Sequence, residues 1–597
     1  MIGFYGIVCS ENRINRNARE EAFMKMSDSI WKDDFYNESI SRKNYTIGIT
    51  RRNIGENKDL CLKAINDDFI IAFNGYGKFK GEKKLYWASD MAERIVQPFL
   101  KNGINRLLEI EGAFACLVFY KNELIILGDR FSSKCLYYYE SDRLLIFSPD
   151  VGRILYTNII PKEKNIEAAS QVLLSSFFLD DNTLVKDIRH LPYATVLSKK
   201  IDHPSKSTKI RYWEMPKNEG DIGSINPELI EHFGENIKQA IYECADLEER
   251  SLVPLSGGLD SRTIACFLSE KQKLKALTYD LGIEVNLSKK VCKVLNGEHL
   301  FFSNDMVSSD YFRNTLNKLI YDQKIHAIIN QYFQTPSFKL HFVQNRKDAA
   351  LYDGIYLDIL FSAPYTFMKF DFNEFFRIYG GSSIPLISKW SYSLDEGRLM
   401  EIMKKQFATI LEGFEKSDGV GKSQLFYVMG RLRRYVAESS GSRENYCYVF
   451  RPGFNYELMD FGYRLGLSLR KGQLYKQMLY SRFSEVMKIP YKDSYHNRQK
   501  RLHERMKENY VSFRLNLSLL TRGMFIYTDH QIEYYFFKKK RLSDFRDIFS
   551  CKNHISELFT DLQLENLFNS VKNKQYLLGL FQRVLFLQQF YRRHNFK

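Results

Sequence analysis

The stretch Ser251–Leu268 reads SLVPLSGGLDSRTIACFL. An apolar run of strand length, Leu252–Leu255, feeds a glycine pair that opens a helix with Ile264, Phe267 and Leu268 on one face. Strand, tight turn and helix N-terminus in that order leave a concave set of backbone N–H groups with the positive end of the helix dipole behind them. That is a cradle for an anion. Gly257 and Gly258 let the backbone come close to phosphate oxygens, and Ser256 and Ser261 add hydroxyl donors. Asp260 would repel a bare phosphate, so its presence implies a magnesium ion between carboxylate and phosphates. The competing reading is an ordinary glycine turn that opens a helix.

Two other glycine segments imitate nucleotide loops less well. Gly421–Lys422–Ser423 resembles the end of a Walker A loop, but Lys416 stands where the first glycine belongs and no strand precedes it. Gly75–Tyr76–Gly77 lacks the third glycine of a dinucleotide fingerprint and reads as a turn.

Outward from the loop, strands Lys275–Tyr279 and Asp348–Tyr352 alternate with helical periodicity, which predicts a parallel α/β sheet. Upstream the pattern differs. From residue 1 to about 200, short apolar runs end in turn residues: Ile70–Phe73 before Asn74–Gly75, Ala113–Tyr120 before Lys121–Asn122, and Leu124–Leu127 before Gly128–Asp129. A helix falls near Ser89–Leu100. The polar stretch Ile201–Ser224, with Pro204 and Pro216, reads as a boundary. The organisation expected is a domain at 1–200, a linker at 201–224, an ATP-binding domain at 225–500 and a helical extension at 501–597. Leu577, Leu580, Phe581, Val584 and Leu587 mark one face of a terminal helix.

The chain's 597 residues exclude a small disulfide scaffold, and 44% hydrophobic with 26% charged residues is globular composition. Lys plus Arg total 87 against 71 acidic residues, an excess that favours an anionic partner. Nine cysteines without a CxxC pair give neither zinc nor iron–sulfur spacing and are expected to be reduced and buried. With no targeting or membrane-spanning segment in view, the expected location is the cytoplasm.

The hexapeptide Ser256–Ser261 matches the SGGxDS motif of the PP-loop ATP pyrophosphatases, and the chain up to about residue 500 resembles the asparagine synthetase family. Asn74–Gly75, EGAFACLVF (Glu111–Phe119) and DRFSSKCLYY (Asp129–Tyr138) are similar to segments of that family's class II glutamine amidotransferase domain; FRPGFNYELMDF (Phe450–Phe461) resembles a segment of its synthetase domain. LYDGIYLDILFS (Leu351–Ser362) resembles GxGxDExFGG. The resemblance implies a two-domain α/β and α+β protein: an N-terminal Ntn-type αββα sandwich, then a PP-loop parallel α/β sheet with a helical tail. It implies ATP and Mg2+ as cofactors, with Ser256, Gly257, Gly258, Asp260, Ser261 and Gly354 around the nucleotide and Asp260 and Asp358 on the metal. Thr278 or Tyr279 would face the adenine by analogy, whereas Cys292 and His299 read as packing and a satisfied histidine. Lys492, with Lys476 and Lys500 as rivals, is the candidate for stabilising charge on the adenylate, Asp358 being the other catalytic candidate.

Two departures bear on function. Position 2, where the family's glutaminase carries its nucleophilic cysteine, is Ile2, and Cys9 lacks the terminal amine that chemistry uses. Three residues before Asp358, where asparagine synthetases carry glutamate and β-lactam synthetases tyrosine, stands Ile355. The acceptor amine must then arrive largely neutral or use Asp353 or Tyr356 as base; a peptide α-amine, with a pKa of about 7.7–8.0, suits the first route. The loss of the cysteine is shared with relatives that resemble asparagine synthetase, such as the lasso peptide cyclases and β-lactam synthetase. The expected function is an AMP-forming amide ligase that adenylates a carboxylate, with a peptide macrolactam as product. A precursor peptide would be the substrate, with a leader-binding protein and a leader peptidase as partners. The alternatives are asparagine synthesis from ammonia and, in a different class, tRNA modification. The basic stretch Tyr534–Arg541 (YYFFKKKR) suits a helix with solvated lysines better than a nucleic-acid surface.

Overall fold

The computed structural model describes residues 2–9, 16–28, 35–53, 56–201, 205–279, 283–302, 341–342, 349–361, 366–491, 552–571 and 577–596. The first part is a pair of antiparallel sheets. One runs in the order β11 (Ile188–His190), β9 (Tyr137–Ser141), β10 (Leu144–Ser148), β1 (Gly3–Cys9), β3 (Tyr45–Arg52), β2 (Phe35–Ser41). The other runs β13 (Thr208–Arg211), β12 (Thr195–Lys200), β8 (Glu123–Gly128), β7 (Ile110–Tyr120), β5 (Phe69–Phe79), β4 (Leu60–Asn66), with β6 (Tyr86–Trp87) paired to β5.

The period-two pattern of β5 explains the layering. Ile70 and Ala72 point into a core shared with Ile47, Ile49, Leu117 and Phe119, between the two sheets. Phe69, Ile71 and Phe73 point the other way, onto Met91, Ala92, Ile95 and Phe99 of the helix Ala88–Asn102. On the far face of the first sheet, Tyr5 and Ile7 join a cluster with Phe23 and Met26 of the helix Arg16–Ser27. The result is helix, sheet, sheet, helix. That last cluster continues without a break to Leu252, Val253 and Ala350 in the second part of the chain.

Three expectations are corrected here. Gly75–Tyr76–Gly77 is not a turn: β5 runs on to Phe79, pairing with β7 as far as Ile110. The glycines serve close approach, since a Cβ on Gly75 (φ +115°) would lie 2.0 Å from the Ala113 carbonyl oxygen. The stretch 201–224 contributes β13, whose residues are all exposed, so an edge strand looked like a linker. The terminal helix Leu578–Arg593 is buried on every side rather than one; Gln582, Arg583, Gln588 and Gln589 are also inside. Its polar side chains are used there, Arg583 donating to the Leu174 carbonyl (3.2 Å) and Gln588 to that of Lys552 (2.8 Å).

The second part is built on five parallel strands in the order β16 (Glu298–Phe302), β15 (Lys275–Tyr279), β14 (Ser251–Pro254), β17 (Ala350–Tyr352), β18 (Tyr448–Phe450). From β14 the chain proceeds outward to β15 and β16, then returns to the other side for β17 and β18. The order therefore reverses between β14 and β17, and a crevice opens at the carboxyl ends of such a pair. No disulfide joins the eight cysteines among the described residues, and all but Cys135 are buried. Among the described residues no helix is long and apolar enough to cross a membrane.

Candidate functional site

The two acidic segments singled out in the sequence leave the two strands that flank this crevice. After β14 comes the loop Leu255–Gly258 and the helix Leu259–Lys271, whose N-cap, Gly258, offers no side-chain oxygen to the first-turn amides. The serines shape the loop: Ser256 Oγ lies 3.0 Å from Ser261 Oγ and accepts from the Gly258 N–H (3.2 Å), while Ser261 Oγ accepts from the Ser256 N–H (3.1 Å). After β17 the chain passes Gly354 into the helix Leu357–Phe361, which carries Asp358 in its first turn. A Cβ on Gly354 would stand 3.1 Å from Asp260 Cβ, so the two segments touch and Gly354 is the residue small enough to permit it.

Each aspartate is held by a tyrosine. The Tyr475 hydroxyl donates to Asp260 Oδ1 (3.3 Å) and the Tyr427 hydroxyl to Asp358 Oδ2 (3.2 Å). Burial, then the charge of Asp260 and, less strongly, that of Asp358, hold the Tyr475 hydroxyl proton well above its ordinary range. Tyr475 is itself locked by Phe233 and Phe361, with ring centroids 6.1 and 5.6 Å away. Tyr427 lies in a π-helical stretch, Phe426–Ala437, a wide turn that sequence periodicity does not announce. Two carboxylates and two serine hydroxyls are an all-oxygen donor set that suits a hard divalent cation such as Mg2+.

Other candidates fall differently. Thr278 is buried, its hydroxyl donating to the Leu255 carbonyl (2.9 Å) with His299 Nε2 at 3.1 Å, so it supports the loop from beneath. Cys292 is buried, and His299, its pKa lowered chiefly by burial, is satisfied by that contact. Asp353 is occupied: Oδ1 accepts from the Ile355 N–H (3.2 Å) and Oδ2 faces Arg443 (3.6 Å). Tyr356 is completely buried, and desolvation keeps its proton on, so it is no base. Ile355 is buried. Lys476 lies over the ring of Tyr491 (5.7 Å), while Lys492, Lys500 and the basic stretch 534–541 lie outside the described residues.

Sequence reasoning missed Arg262, in the first turn of the helix Leu259–Lys271. It is fully buried and donates to the carbonyls of Val486 (3.3 Å), Ile489 (2.7 Å) and Pro490 (3.1 Å), tying the segment before Lys492 to the helix that follows the glycine loop. It named Tyr356 only as a possible base and missed its backbone conformation, a φ of +76° that is rare for any residue but glycine and costs about 1–3 kcal/mol. The GxGxD motif was the available signal, because its second glycine falls on Tyr356.

An antiparallel two-sheet domain of amidotransferase type, joined to a parallel sheet with two aspartates at its switch point, defines the class of protein. The glutamine amidotransferase domain family matches residues 16–213. The chain is 27% identical over 322 residues to a putative glutamine-hydrolysing asparagine synthetase 2 of Methanocaldococcus jannaschii, covering 48% of this chain and 60% of that protein. It is 26% identical over 233 residues to the glutamine-hydrolysing asparagine synthetase 2 of Bacillus subtilis, covering 36% and 31%. The chain thus spans about three fifths and one third of the curated relatives it matches. Among solved structures, the glutamine phosphoribosylpyrophosphate amidotransferase of B. subtilis aligns at 10% identity and TM-score 0.24, over 51% of this chain and 91% of that one. The chain thus carries a glutamine amidotransferase domain in its first part and is similar to curated asparagine synthetases.

Proposed function

We propose that the chain is an ATP-dependent, AMP-forming ligase of carbon–nitrogen bonds, and that its product is a peptide macrolactam. The observation that carries the ligase reading is the contact of the Asp260 and Gly354 segments, which brings the helix of Asp358 beside an SGGLDS loop across the switch point. Mg2+ held by Asp260 and Asp358 would neutralise triphosphate charge. The loop amides with Ser256 and Ser261 bind the β- and γ-phosphates. A substrate carboxylate then attacks the α-phosphorus, the α–β bond breaks and pyrophosphate stays in the cradle. An amine adds to the resulting acyl adenylate, AMP departs with the electron pair of its bond, and the amine's proton passes to solvent.

The first domain, in this reading, does not hydrolyse glutamine. Ile2 is buried at the head of β1, its N–H on Asn445 Oδ1 (3.3 Å). Cys9 lies at the strand's other end, about 23 Å away at ~3.3 Å per residue. The peptide amine is favoured over ammonia because the position of the family's glutamate is Ile355 and neither neighbour replaces it: Asp353 is bonded and Tyr356 keeps its proton.

The test gives the protein Mg2+ and ATP with a leaderless precursor peptide, or with aspartate and ammonium. Peptide-dependent AMP and pyrophosphate with loss of one water mass from the peptide supports the reading, and Asp260→Asn abolishes both. Labelled asparagine from the second mixture refutes the macrolactam assignment, and AMP formation unchanged in Asp260→Asn refutes the site.

A further inference from the structure

Tyr356 is held in a glycine-like conformation two residues before Asp358, and a side chain there stays only if its surroundings hold it. Three buried rings close on one another at this point. Phe131 lies 4.4 Å from Tyr356, Phe454 lies 4.5 Å from Tyr356, and Phe131 and Phe454 are 5.3 Å apart. The Tyr356 hydroxyl has no hydrogen-bond partner among the described residues, so packing of the ring is what fixes it. Next to Phe454 in the chain, Gly453 presses so closely that a Cβ there would lie 2.4 Å from the Ile355 carbonyl oxygen.

Phe131 comes from the first domain, and its place is set with care. The fully buried Asp129 carboxylate accepts from the N–H groups of Phe114 (2.9 Å), Phe131 (2.9 Å) and Ser133 (3.1 Å), freezing the turn that presents the ring. Arg130 crosses to the second domain, where it bonds Asp460 (2.6 Å) beneath the rings of Trp213 and Tyr456.

We propose that Phe131 is a positioning residue for the nucleotide site: it holds Tyr356 in its left-handed conformation and so sets Asp358 opposite Asp260. The first domain then acts in synthesis as a brace, independently of any glutamine chemistry. This rests on the reading of Asp260 and Asp358 as the ligands of Mg2+ and ATP.

The test compares the wild-type chain, Phe131→Ala, Tyr356→Phe and the double variant Phe131→Ala/Tyr356→Gly. Affinity for MgATP is measured by calorimetry, and amide hydrogen exchange is followed over residues 354–361. Phe131→Ala is expected to weaken MgATP about tenfold and to speed exchange in that segment. The double variant is expected to recover to within about twofold of wild type, because glycine takes the left-handed conformation unaided. Tyr356→Phe keeps the ring and is expected to match wild type. A residue that only fills space gives the reverse order, with the double variant worse than Phe131→Ala, and that result overturns the proposal. So does unchanged exchange in Phe131→Ala. If wild type binds no MgATP while Phe131→Ala still speeds exchange, the brace stands and the nucleotide reading fails. Should Phe131→Ala not fold, Phe131→Leu, which keeps apolar volume without the flat face, is expected to show the same exchange change.

Discussion

Replacing Gly453 by alanine adds a methyl group against backbone that has little room to retreat. The new Cβ would lie 2.4 Å from the Ile355 carbonyl oxygen, 2.9 Å from Tyr356 Cβ and 3.2 Å from the Leu357 N. Real Cβ contacts do not fall below 3.0 Å, so the 355–357 loop must recede by at least 0.6 Å, the gap between 2.4 and 3.0 Å. Overpacking of this kind costs about 1–3 kcal/mol. Because Leu357 begins the helix that carries Asp358, the carboxylate moves with the loop. Magnesium demands near-ideal octahedral geometry with oxygens at about 2.0–2.1 Å, and a displacement of this size spoils it. We expect MgATP affinity to fall about tenfold or more and the Mg2+ midpoint to rise, while the protein stays folded in a thermal melt. Calorimetric titration of ATP at several Mg2+ concentrations measures both. A Gly453→Ala protein that binds MgATP at the wild-type midpoint would show that this loop does not set the metal ligand.

Tyr475→Phe should keep the ring packing on Phe233 and Phe361 but remove one hydrogen bond to Asp260, raising the Mg2+ midpoint about three- to tenfold; no change in the midpoint counts against a role for that hydroxyl at the metal. Amide formation should rise about tenfold per pH unit and level off near pH 7.7–8.0, where a peptide α-amine loses its proton. A further inflection that disappears in Asp353→Asn would reveal a protein base instead. Lys78→Met leaves Glu243, paired to it at 2.9 Å in the interior, without its cation and should cost about 3–5 kcal/mol in urea denaturation. Lys78→Met/Glu243→Leu should recover most of that, and a double variant no better than the single would deny the pair its role. His299, whose folded pKa is lowered by burial, protonates first in the unfolded chain at about 6.5, so its contribution to stability is full above that pH and is lost below it. His299→Asn should flatten the acid side of the stability curve, and an unchanged slope refutes this.

The parts legible in the sequence are those where local pattern and tertiary role agree. Leu252–Leu255 reads as a buried strand and overlaps β14, and the glycine pair after it caps a helix as its chemistry requires. Motif spacing singles out Asp358, and the structure sets its segment against Asp260 across a strand-order reversal that no local window contains. What failed were positions where an unseen neighbour overrules composition. Gly75 and Gly77 look like a turn until β7 is laid beside them. The arginine and glutamines of Leu578–Arg593 look solvated until the carbonyls that accept from them are known. Arg262 looked like any helix residue, because its three acceptors lie more than two hundred positions away.

The apolar cluster that runs from under β1 through the parallel sheet to the terminal helix makes the two halves one thermodynamic object rather than a tethered pair. Neither is a cassette. A chimera that grafts a working glutaminase from a relative onto this ligase would inherit a mismatched seam, and either half expressed alone would offer solvent a greasy face fit for aggregation.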